Sequence, residues 1–478
     1  MNKLTKIVAT IGPACDSPET IKKLIDSGVD IFRFNFKHNT VDWHDERIRR
    51  VNEIAKNMNR NIGTLIDLQG PELRVNMPVE AIKIEKDQRL IFGSEVFIKG
   101  NEDPGFSISH PQIIPELKSG QRILADDGSL AFNIEREDGQ TFVRCQNDGV
   151  LKNHKNLNIV GADFSLPALV EKDFEGLKLV HMNEVDYVAL SFVRTEKDIV
   201  NLRREMAKYR LKAKVIAKIE TEKALNHLDE IIKETDGIMV ARGDLGVELP
   251  YEKVPYFQKI IIKKCIEKGT PVITATQMLQ SMVGNPYPTR AEVSDVANAT
   301  YDLTDAVMLS GETATGQYPV QTVNVMRNTV IFNEKKNLVD SRKRFNFNLE
   351  DQASILCDTA YELYFLYRQR QKQVSGFLVF THTGNTARLL SRYRPLVPIF
   401  AFTPHESVGK SLIINYGVTA IADQKIGKKS EVTREQIVKA VESLKDGGLV
   451  KKGDLLIVLH GDYWTVEGGT STLKLVTV

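Results

Sequence analysis

The fold is decided by the segment from Ala213 to Leu249, and within it by VIAKIE (residues 215–220) and GIMVARGDLGVELP (residues 237–250). Each run begins with apolar, β-prone residues and then changes abruptly to charged ones. Continuous apolar runs of this length are typical of strands buried on both faces of a parallel sheet. Because side chains alternate along a strand, Lys218 and Glu220 are predicted to point to the same face.

Charge at the carboxyl end of a buried strand is where α/β folds place their chemistry. Lys218, Glu220 and Asp244 give one ammonium group and two carboxylates at two such ends. This combination indicates a hard metal ion beside a positively charged catalyst. The alternative is a structural ion pair, since ion-pair networks also occur at strand ends.

The composition is that of an ordinary globular protein. The 478 residues predict about three domains, and the hydrophobic (42%) and charged (26%) fractions are typical of soluble chains. A net charge of +2 favours neither nucleic acid nor a membrane surface as a partner. No apolar run is long enough for a membrane span, and the N-terminal residues do not resemble a signal peptide. The four widely spaced cysteines predict reduced thiols in a cytoplasmic protein.

Strands and helices alternate over residues 1–70 and again over residues 167–335. The predicted strands lie in LTKIVATI, VDIFRFNF, NIGTLIDL, VDYVALSFV, KVIAKIE, GIMVARGD, PVITATQ and DAVMLSGE. A helix over TIKKLIDSG is predicted to begin at a cap, Asp16 or Ser17, and to end at Gly28. Eight such units predict a (β/α)8 TIM barrel.

The alternation is interrupted over residues 71–166 by short strand patterns separated by Gly, Asp and Asn, which predict an inserted all-β domain. An insertion that follows a barrel strand is a natural lid over the site. The charged segment 333–348 is interpreted as a connector. Residues 349–478 again alternate strands with helices and predict a doubly wound α/β domain.

Several further charged or polar residues follow the predicted barrel strands. Arg33, Asn35 and Lys37 alternate along one strand and should share a face, while Phe34 and Phe36 face the other way. A second set ends or follows other strands: Asp67, Arg74 and Thr276. Carboxylates without a His or Cys partner favour Mg²⁺ or Mn²⁺, and the cationic groups suit a phosphate. The set therefore predicts phosphoryl transfer by positioning and charge neutralisation.

The run Ala241-Arg242-Gly243 has small residues that let backbone N–H groups approach a ligand closely. A substrate carboxylate could dock there beside the metal. The alternative interpretation is a plain turn.

The chain resembles the pyruvate kinase family from Lys3 to the C-terminus. The matching runs are TKIVATIGPA, IFRFNF, LIDLQGPELR, ILADDG, SLPALVEKD, YVALSFVR, KIET, DGIMVARGDLGVELP, TATQMLQSM, NPYPTRAEVSDVANA and DAVMLSGETATGQYPV. The resemblance implies a barrel domain, an inserted β-barrel domain, a C-terminal α/β domain and a homotetramer. It also implies Mg²⁺-dependent phosphoryl transfer from phosphoenolpyruvate to ADP, which gives pyruvate and ATP in glycolysis.

The resemblance also implies residue roles. Glu220 and Asp244 are similar to the divalent-metal ligands, Lys218 to the lysine that stabilises the transferring phosphoryl group, and Arg33 to the arginine that holds it. The other implied assignments are a carboxylate dock at Ala241, Arg242 and Gly243, a proton-delivery role for Thr276, and nucleotide contacts at Asn35, His38, Arg74 and Lys155.

The chain departs from the family at its potassium site, which is commonly built from Asn, Ser, Asp and Thr. Asn35 and Asp67 are kept, but Lys37 stands in place of the serine and Leu68 in place of the threonine. Our hypothesis is that the Lys37 ammonium replaces the potassium ion, so that catalysis needs no added K⁺. One alternative is that Lys37 points to solvent. Another is that a potassium site persists, and the retained Glu72 favours this second alternative.

A second departure lies in the C-terminal domain. The run THTGNTARLL resembles the family's effector loop, where Thr381, Thr383, Asn385 and Thr386 could hold a sugar phosphate or nucleotide. His382 and Asn385 differ from the common pattern, so the identity of the effector stays open. HGDYWTVEGGTS (residues 460–471) resembles the second effector loop only loosely, and an unregulated domain is the alternative.

Two other functions are compatible with parts of the sequence. One is a metal-dependent barrel enzyme such as an aldolase, which has no use for the nucleotide-side residues or the lid. The other is a catalytically impaired paralogue that serves as a binding or sensing protein. The retained Lys218, Glu220, Asp244, Arg33 and Thr276 argue against the second rival, and Lys37 and Leu68 argue for it.

Overall fold

The structure is a computed structural model that describes residues 3–94, 104–126, 128–161, 166–336, 340–424, 432–463 and 469–478. Eight parallel strands form a closed barrel, which confirms the predicted fold. The barrel strands are Lys6–Thr10, Ile31–Asn35, Gly63–Asp67, Tyr187–Leu190, Lys214–Ile219, Gly237–Ala241, Val272–Ala275 and Ala306–Leu309. Their apolar side chains are buried on both faces, as the continuous apolar runs predicted.

Helices surround the barrel. They are Pro18–Ser27, Val41–Asn57, Glu171–Asn183, Glu196–Lys208, Glu222–Asn226, Leu228–Glu234, Arg242–Glu248, Val254–Lys268, Arg290–Tyr301, Gly311–Ala314 and Pro319–Lys336. The first helix is capped by Ser17, whose Oγ accepts a hydrogen bond from the Thr20 N–H at 3.2 Å. It ends at Gly28, which adopts a left-handed φ of 107°. Both helix boundaries therefore follow the local signals in the sequence.

The segment between the third and fourth barrel strands forms the predicted all-β domain. Seven of its strands close into a second barrel and two more form a separate sheet. The strands are Leu73–Asn76, Ala81–Ile84, Arg89–Phe92, Gly105–Ile108, Arg122–Ala125, Leu130–Glu137, Gln140–Cys145, Gly149–Lys152 and Asn156–Ile159, with a 3-10 helix over Pro111–Glu116. Phe92, Phe106 and Phe132 pack in its interior with ring centroids 5.1 and 5.5 Å apart.

The C-terminal domain is a five-stranded sheet flanked by helices. In spatial order its strands are Val418–Ala422, Ile399–Thr403, Gly376–Phe380, Leu455–Gly461 and Thr470–Thr477, and the last of these is antiparallel. Its helices are Ser341–Arg344, Gln352–Gln369, Asn385–Ser391, Glu406–Ser411 and Arg434–Asp446. No helix among the described residues is long and apolar enough to cross a membrane.

The predicted connector is wrong at its beginning, because the helix Pro319–Lys336 runs through residues 333–336. Tertiary contacts hold this last turn in place. The Tyr301 hydroxyl donates to Asn333 Oδ1 at 2.6 Å, and Glu334 Oε1 accepts from the Leu4 N–H at 3.1 Å. Residues 333–336 therefore continue the helix, since the polar side chains of Asn333 and Glu334 have hydrogen-bond partners elsewhere in the chain.

Candidate active site

Asp67 lies at the centre of the barrel mouth and is fully buried. Arg33 Nε donates to its Oδ2 at 2.7 Å, and Lys218 Nζ lies 3.2 Å from its Oδ1. Burial opposes ionisation of Asp67, but Lys218 and Arg33 outweigh it and lower the carboxyl pKa. One carboxylate therefore fixes both cations, which come from strands far apart in the sequence.

The Lys218 ammonium makes two further contacts. It donates to Ser191 Oγ at 2.7 Å and lies 2.9 Å from Glu220 Oε1. Burial acts to lower the pKa of Lys218, but the carboxylates of Asp67, Glu220 and Asp244 raise it above its usual range. Lys218 therefore stays positively charged and is suited to stabilising a developing anion rather than to acting as a base.

Glu220 and Asp244 line one cavity of about 330 Å³ between the barrel mouth and the lid. Burial raises the pKa of Glu220, Lys218 opposes this effect, and the neighbouring Asp244 adds to it. Among the described residues, no cluster of three or more His, Cys, Asp or Glu side chains could hold a metal. Two carboxylates with room for water and substrate oxygens fit Mg²⁺ or Mn²⁺, because these ions keep several non-protein oxygen ligands.

The run after the strand Gly237–Ala241 forms the helix Arg242–Glu248, so its interpretation as a plain turn is wrong. The Arg242 guanidinium is held by the carbonyl oxygen of Thr276 at 2.7 Å and by Asp295 at 2.8 Å. The Arg242 side chain is therefore held by contacts within the protein. The Gly243 N–H donates to Thr276 Oγ1 at 2.8 Å.

Thr276 follows the strand Val272–Ala275 and has a left-handed φ of 66°. Its hydroxyl donates to the Ala275 carbonyl oxygen at 2.7 Å while accepting from Gly243. A β-branched residue with positive φ is strained, and such strain is found mostly at functional sites. The structure thus brings Thr276 and Gly243 together, although they lie on different strand ends.

The nucleotide-side candidates lie at the junction of the barrel and the lid. Arg74 donates to Glu72 Oε2 at 2.8 Å and to the His154 carbonyl oxygen at 2.9 Å. Lys155 Nζ lies 2.8 Å from Asp126 Oδ1 within the lid. Burial, followed by the charges of Lys37, Arg33 and Arg74, lowers the pKa of His38. His38 is therefore a neutral group in a cationic neighbourhood that suits polyphosphate.

Lys37 does not point freely into solvent. Its ammonium forms an ion pair with Glu72, whose side chain is 6% exposed. The Lys37 N–H donates to Asn35 Oδ1 at 3.3 Å. The Leu68 side chain is 1% exposed and belongs to the apolar core around the barrel. The predicted monovalent-cation site comprised Asn35, Lys37, Asp67 and Leu68. The Leu68 side chain does not reach the barrel mouth, and the Asp67 carboxylate is already bound by Arg33 and Lys218.

The effector candidates begin just beyond the strand Gly376–Phe380. Thr381 Oγ1 accepts from the Gly384 N–H at 3.0 Å, and the Thr386 hydroxyl pairs with that of Thr470 at 2.7 Å. Both threonines are buried, so their hydroxyls stabilise the loop. Thr383 is half-buried, as is Asn385, the first residue of the helix Asn385–Ser391. Within the second predicted effector loop, residues 464–468 lie outside the described residues.

Two site residues were missed by the sequence reasoning. Ser191 accepts from Lys218 and donates to the Leu68 carbonyl oxygen at 2.7 Å. Thr10 Oγ1 accepts from Arg33 Nη1 at 3.0 Å. Ser191 directly follows one barrel strand and Thr10 ends another. Both residues could have been predicted from their place at or just after a strand end, because the same place identified Asp67 and Thr276 as candidates.

A (β/α)8 barrel with charged residues at the carboxyl ends of its strands defines a barrel enzyme. The family model described as the pyruvate kinase barrel domain matches residues 2–323, and the model described as the pyruvate kinase alpha/beta domain matches residues 364–476. The chain therefore belongs to the pyruvate kinase family, whose members are phosphotransferases.

Individual relatives agree with this assignment. The chain is 39% identical to a pyruvate kinase of Staphylococcus epidermidis over 98% of its length and 80% of the relative. It is 38% identical to a pyruvate kinase of Bacillus licheniformis over 99% of its length and 80% of the relative. A solved pyruvate kinase from Cryptosporidium parvum superposes with a TM-score of 0.90 at 32% identity, covering 99% of this chain and 96% of that one.

Proposed function

We propose that the chain transfers the phosphoryl group of phosphoenolpyruvate to ADP with the help of Mg²⁺ or Mn²⁺, giving pyruvate and ATP in glycolysis. The observation that carries the proposal is the arrangement around Asp67. It holds Arg33 and Lys218 side by side, and Lys218 in turn lies 2.9 Å from Glu220. Cations and a carboxylate metal site in one buried cluster are suited to phosphoryl transfer, which depends on positioning and charge.

Each side chain has a defined role in this proposal. Arg33 offers a planar guanidinium for the phosphoryl oxygens, and Lys218 offers a point charge near the enolate oxygen. A metal ion held by Glu220 and Asp244 would neutralise substrate charge. The substrate carboxylate takes the backbone N–H groups at Ala241 to Gly243, which requires the Gly243 N–H to leave Thr276 Oγ1. That exchange frees the Thr276 hydroxyl to join the network that protonates enolpyruvate.

ADP is proposed to bind between the barrel and the lid, in contact with Asn35, His38, Arg74 and Lys155. The lid places Lys155 on a segment separate from the barrel strands. Its closure over the barrel would bring a further ammonium group to the ADP phosphates and exclude water from the reacting group.

A coupled assay with phosphoenolpyruvate, ADP and Mg²⁺ tests the proposal. We expect ATP and pyruvate to form in equal amounts, and Lys218→Met to abolish the reaction. Lys233→Met is the matched control, because Lys233 is exposed on the helix Leu228–Glu234. Absence of ATP formation, with or without K⁺ and sugar phosphates, would favour the impaired paralogue, while cleavage of a 2-oxo acid without ADP would favour an aldolase.

We further propose that catalysis needs no added potassium, because Lys37 supplies the monovalent charge. The ion pair of Lys37 with the largely buried Glu72 supports this, because it holds the Lys37 ammonium in a fixed place. Glu72 also accepts a hydrogen bond from Arg74 at 2.8 Å, so the carboxylate lies between two cations. A buried carboxylate of this kind needs a cation beside it. Lys37 and Arg74 together meet that requirement from within the chain.

Activity measured in buffers free of sodium and potassium, with tetramethylammonium as the counterion, tests this second proposal. The unmodified protein should change less than twofold on addition of K⁺, whereas Lys37→Ser should become K⁺-activated. Lys37→Arg keeps the charge and serves as the control. Strong activation of the unmodified protein by K⁺ would show that Lys37 does not replace the ion.

The remaining proposals concern the cellular location, oligomeric state and regulation of the enzyme. We propose a cytoplasmic homotetramer whose C-terminal domain binds a sugar-phosphate or nucleotide effector at the loop Thr381–Thr386. Light scattering of the purified protein should give four times the chain mass. Titration of the assay with sugar phosphates should shift the KM for phosphoenolpyruvate, and Thr383→Val should weaken that shift because Thr383 lies half-buried at the loop surface.

A further inference from the structure

A polar cavity of about 240 Å³ lies between the barrel floor and the C-terminal domain. Its lining includes Lys214 and Lys268 from the barrel and Asn385, Arg388 and Asn415 from the C-terminal domain. Lys214 begins the strand that ends at Ile219, so the cavity lies at the opposite end of that strand from the active site. Lys218 lies four positions beyond Lys214 along this strand, which is about 13 Å.

The charges on the cavity wall do not balance. Asp236 is the carboxylate on this wall, and it is already bound by Lys214 at 3.1 Å and by Arg203 at 2.7 Å. Neither Lys268 nor Arg388 forms an ion pair with any described residue. Arg388 donates instead to the Thr383 carbonyl oxygen at 3.3 Å. The wall therefore carries excess positive charge, which favours an anion.

Arg388 is the most informative residue of the wall. It is half-buried, and burial lowers the pKa of its guanidinium by more than the charges of Asp236 and Tyr187 raise it. A cation removed from water without a partner is costly, and an anion would relieve that cost. The planar guanidinium matches two oxygens of a phosphate at once.

The remaining polar groups favour a phosphate over a simple halide. The side-chain amides of Asn385 and Asn415 can each donate hydrogen bonds. Asn415 is 2% exposed, and its Oδ1 accepts no hydrogen bond from the described residues. Since no donor among the described residues holds Oδ1, the amide of Asn415 is free to turn its N–H groups toward an anion. An adjoining cavity of about 410 Å³ shares Lys214 and Ser411 with the first one and leaves room for the organic part of a phosphate ester.

We propose that this cavity binds a phosphate group, as inorganic phosphate or as a small monoester, and that the bound anion links the barrel floor to the C-terminal domain. Lys214 and Lys268 provide the barrel side of the site and Arg388 the C-terminal side. The site borders the loop Thr381–Thr386: it shares Asn385 with that loop, and Arg388 donates to the carbonyl oxygen of Thr383. Its other charged residues, Lys214 and Lys268, come from the barrel.

Isothermal titration with inorganic phosphate, and in parallel with glycerol 2-phosphate, tests the proposal in the absence of substrates. We expect Arg388→Gln to weaken one phosphate site at least tenfold, and Lys268→Gln to weaken it several-fold without disturbing the fold, because Lys268 is exposed. Thr383→Val and the exposed Arg370→Gln should leave that site unchanged. Tighter binding of the ester than of phosphate would identify a monoester as the ligand, and the reverse would identify the free ion.

Crystals soaked in arsenate give an independent check, since arsenate mimics phosphate and scatters anomalously. A peak between Lys214, Lys268 and Arg388 is expected. Equal phosphate binding by Arg388→Gln and the unmodified protein, with no peak in this cavity, would overturn the proposal. Neither measurement depends on turnover, so this outcome is distinguishable from failure of the proposed activity.

Discussion

Arg394 of the C-terminal domain and Asp305 beneath the barrel form a fully buried ion pair, with Nη2 and Oδ2 2.5 Å apart. The remaining polar atoms of both side chains are also matched. Arg394 Nε donates to the Leu303 carbonyl oxygen at 2.9 Å, and Asp305 Oδ1 accepts from the Tyr416 N–H at 2.9 Å. The pair therefore fixes how the two domains dock.

Arg394→Met should destabilise the protein by about 3–5 kcal/mol, because it leaves the Asp305 carboxylate buried without a partner. The double variant Arg394→Met/Asp305→Asn should recover part of this loss, since no unpaired charge remains. Urea unfolding followed by tryptophan fluorescence and circular dichroism measures both variants. Arg370→Met, which changes an exposed arginine of the same domain, is the control. A loss in the double variant equal to the sum of the two single losses would contradict the pairing.

Asp173 joins the two ends of the lid. Its Oδ1 accepts from the Gln69 N–H at 2.7 Å, where the chain leaves the barrel. Its Oδ2 accepts from the Val170 N–H at 2.9 Å, where the chain returns. Asp173→Asn replaces an acceptor by a donor, so we expect amide exchange at Gln69 and Gly70 to accelerate at least tenfold and the KM for ADP to rise.

Hydrogen exchange with mass spectrometry and steady-state kinetics measure these effects. Asp198→Asn is the matched control, because Asp198 also caps a helix, Glu196–Lys208, and its carboxylate binds Arg194 and Thr195 rather than Gln69 and Val170. If exchange at residues 69–70 is unchanged in Asp173→Asn, the two lid connections are held by other contacts.

Ser191 positions Lys218 through the 2.7 Å hydrogen bond at its Oγ. A hydrogen bond to a charged group is worth about 1.5–3 kcal/mol, so Ser191→Ala should lower kcat roughly 10- to 100-fold. Thr10→Val removes the acceptor at 3.0 Å from Arg33 and should instead raise the KM for phosphoenolpyruvate. Steady-state kinetics of the two variants separates the effect on kcat from the effect on KM. If kcat and KM change alike in Ser191→Ala and Thr10→Val, the two residues do not have separate roles.

His44 should make the protein less stable in mild acid. Its ring stacks on Phe36, with centroids 4.8 Å apart, and its Nε2–H donates to the His38 carbonyl oxygen at 2.8 Å. Burial lowers the pKa of His44 to about 4 against 6.5 for the free side chain, and the nearby Lys172 and Arg47 add to this effect. The unfolded chain therefore binds this proton near pH 6.5, whereas the folded chain binds it only near pH 4.

Between these two pH values the unfolded state holds more protons, so the free energy of unfolding falls as the pH is lowered. The pKa difference corresponds to a contribution of about 3 kcal/mol that is present at neutral pH and lost on acidification. Urea unfolding at several pH values should show this loss, and His44→Phe should flatten the curve in that range. If the free energy of unfolding of His44→Phe depends on pH as steeply as that of the unmodified protein, groups other than His44 cause the loss of stability in acid.

Much of the fold followed from local patterns. The barrel strands appear as short apolar runs that end in charge, and Ser17 and Gly28 mark the ends of the first helix, because strand burial and helix capping depend mainly on neighbouring residues. The predicted connector failed at residues 333–336, where distant contacts to Leu4 and Tyr301 extend the helix. A charged sequence alone does not reveal partners that are supplied from elsewhere in the chain.

The sequence by itself determined the eight-stranded barrel, the inserted β-domain, the C-terminal α/β domain and the family. Only the tertiary structure placed Asp67 between Arg33 and Lys218, bound the Arg242 side chain to Thr276 and Asp295, and paired Lys37 with Glu72. The physical reason is that local propensity selects strands and helices, whereas ion pairing depends on which strand ends meet when the barrel closes.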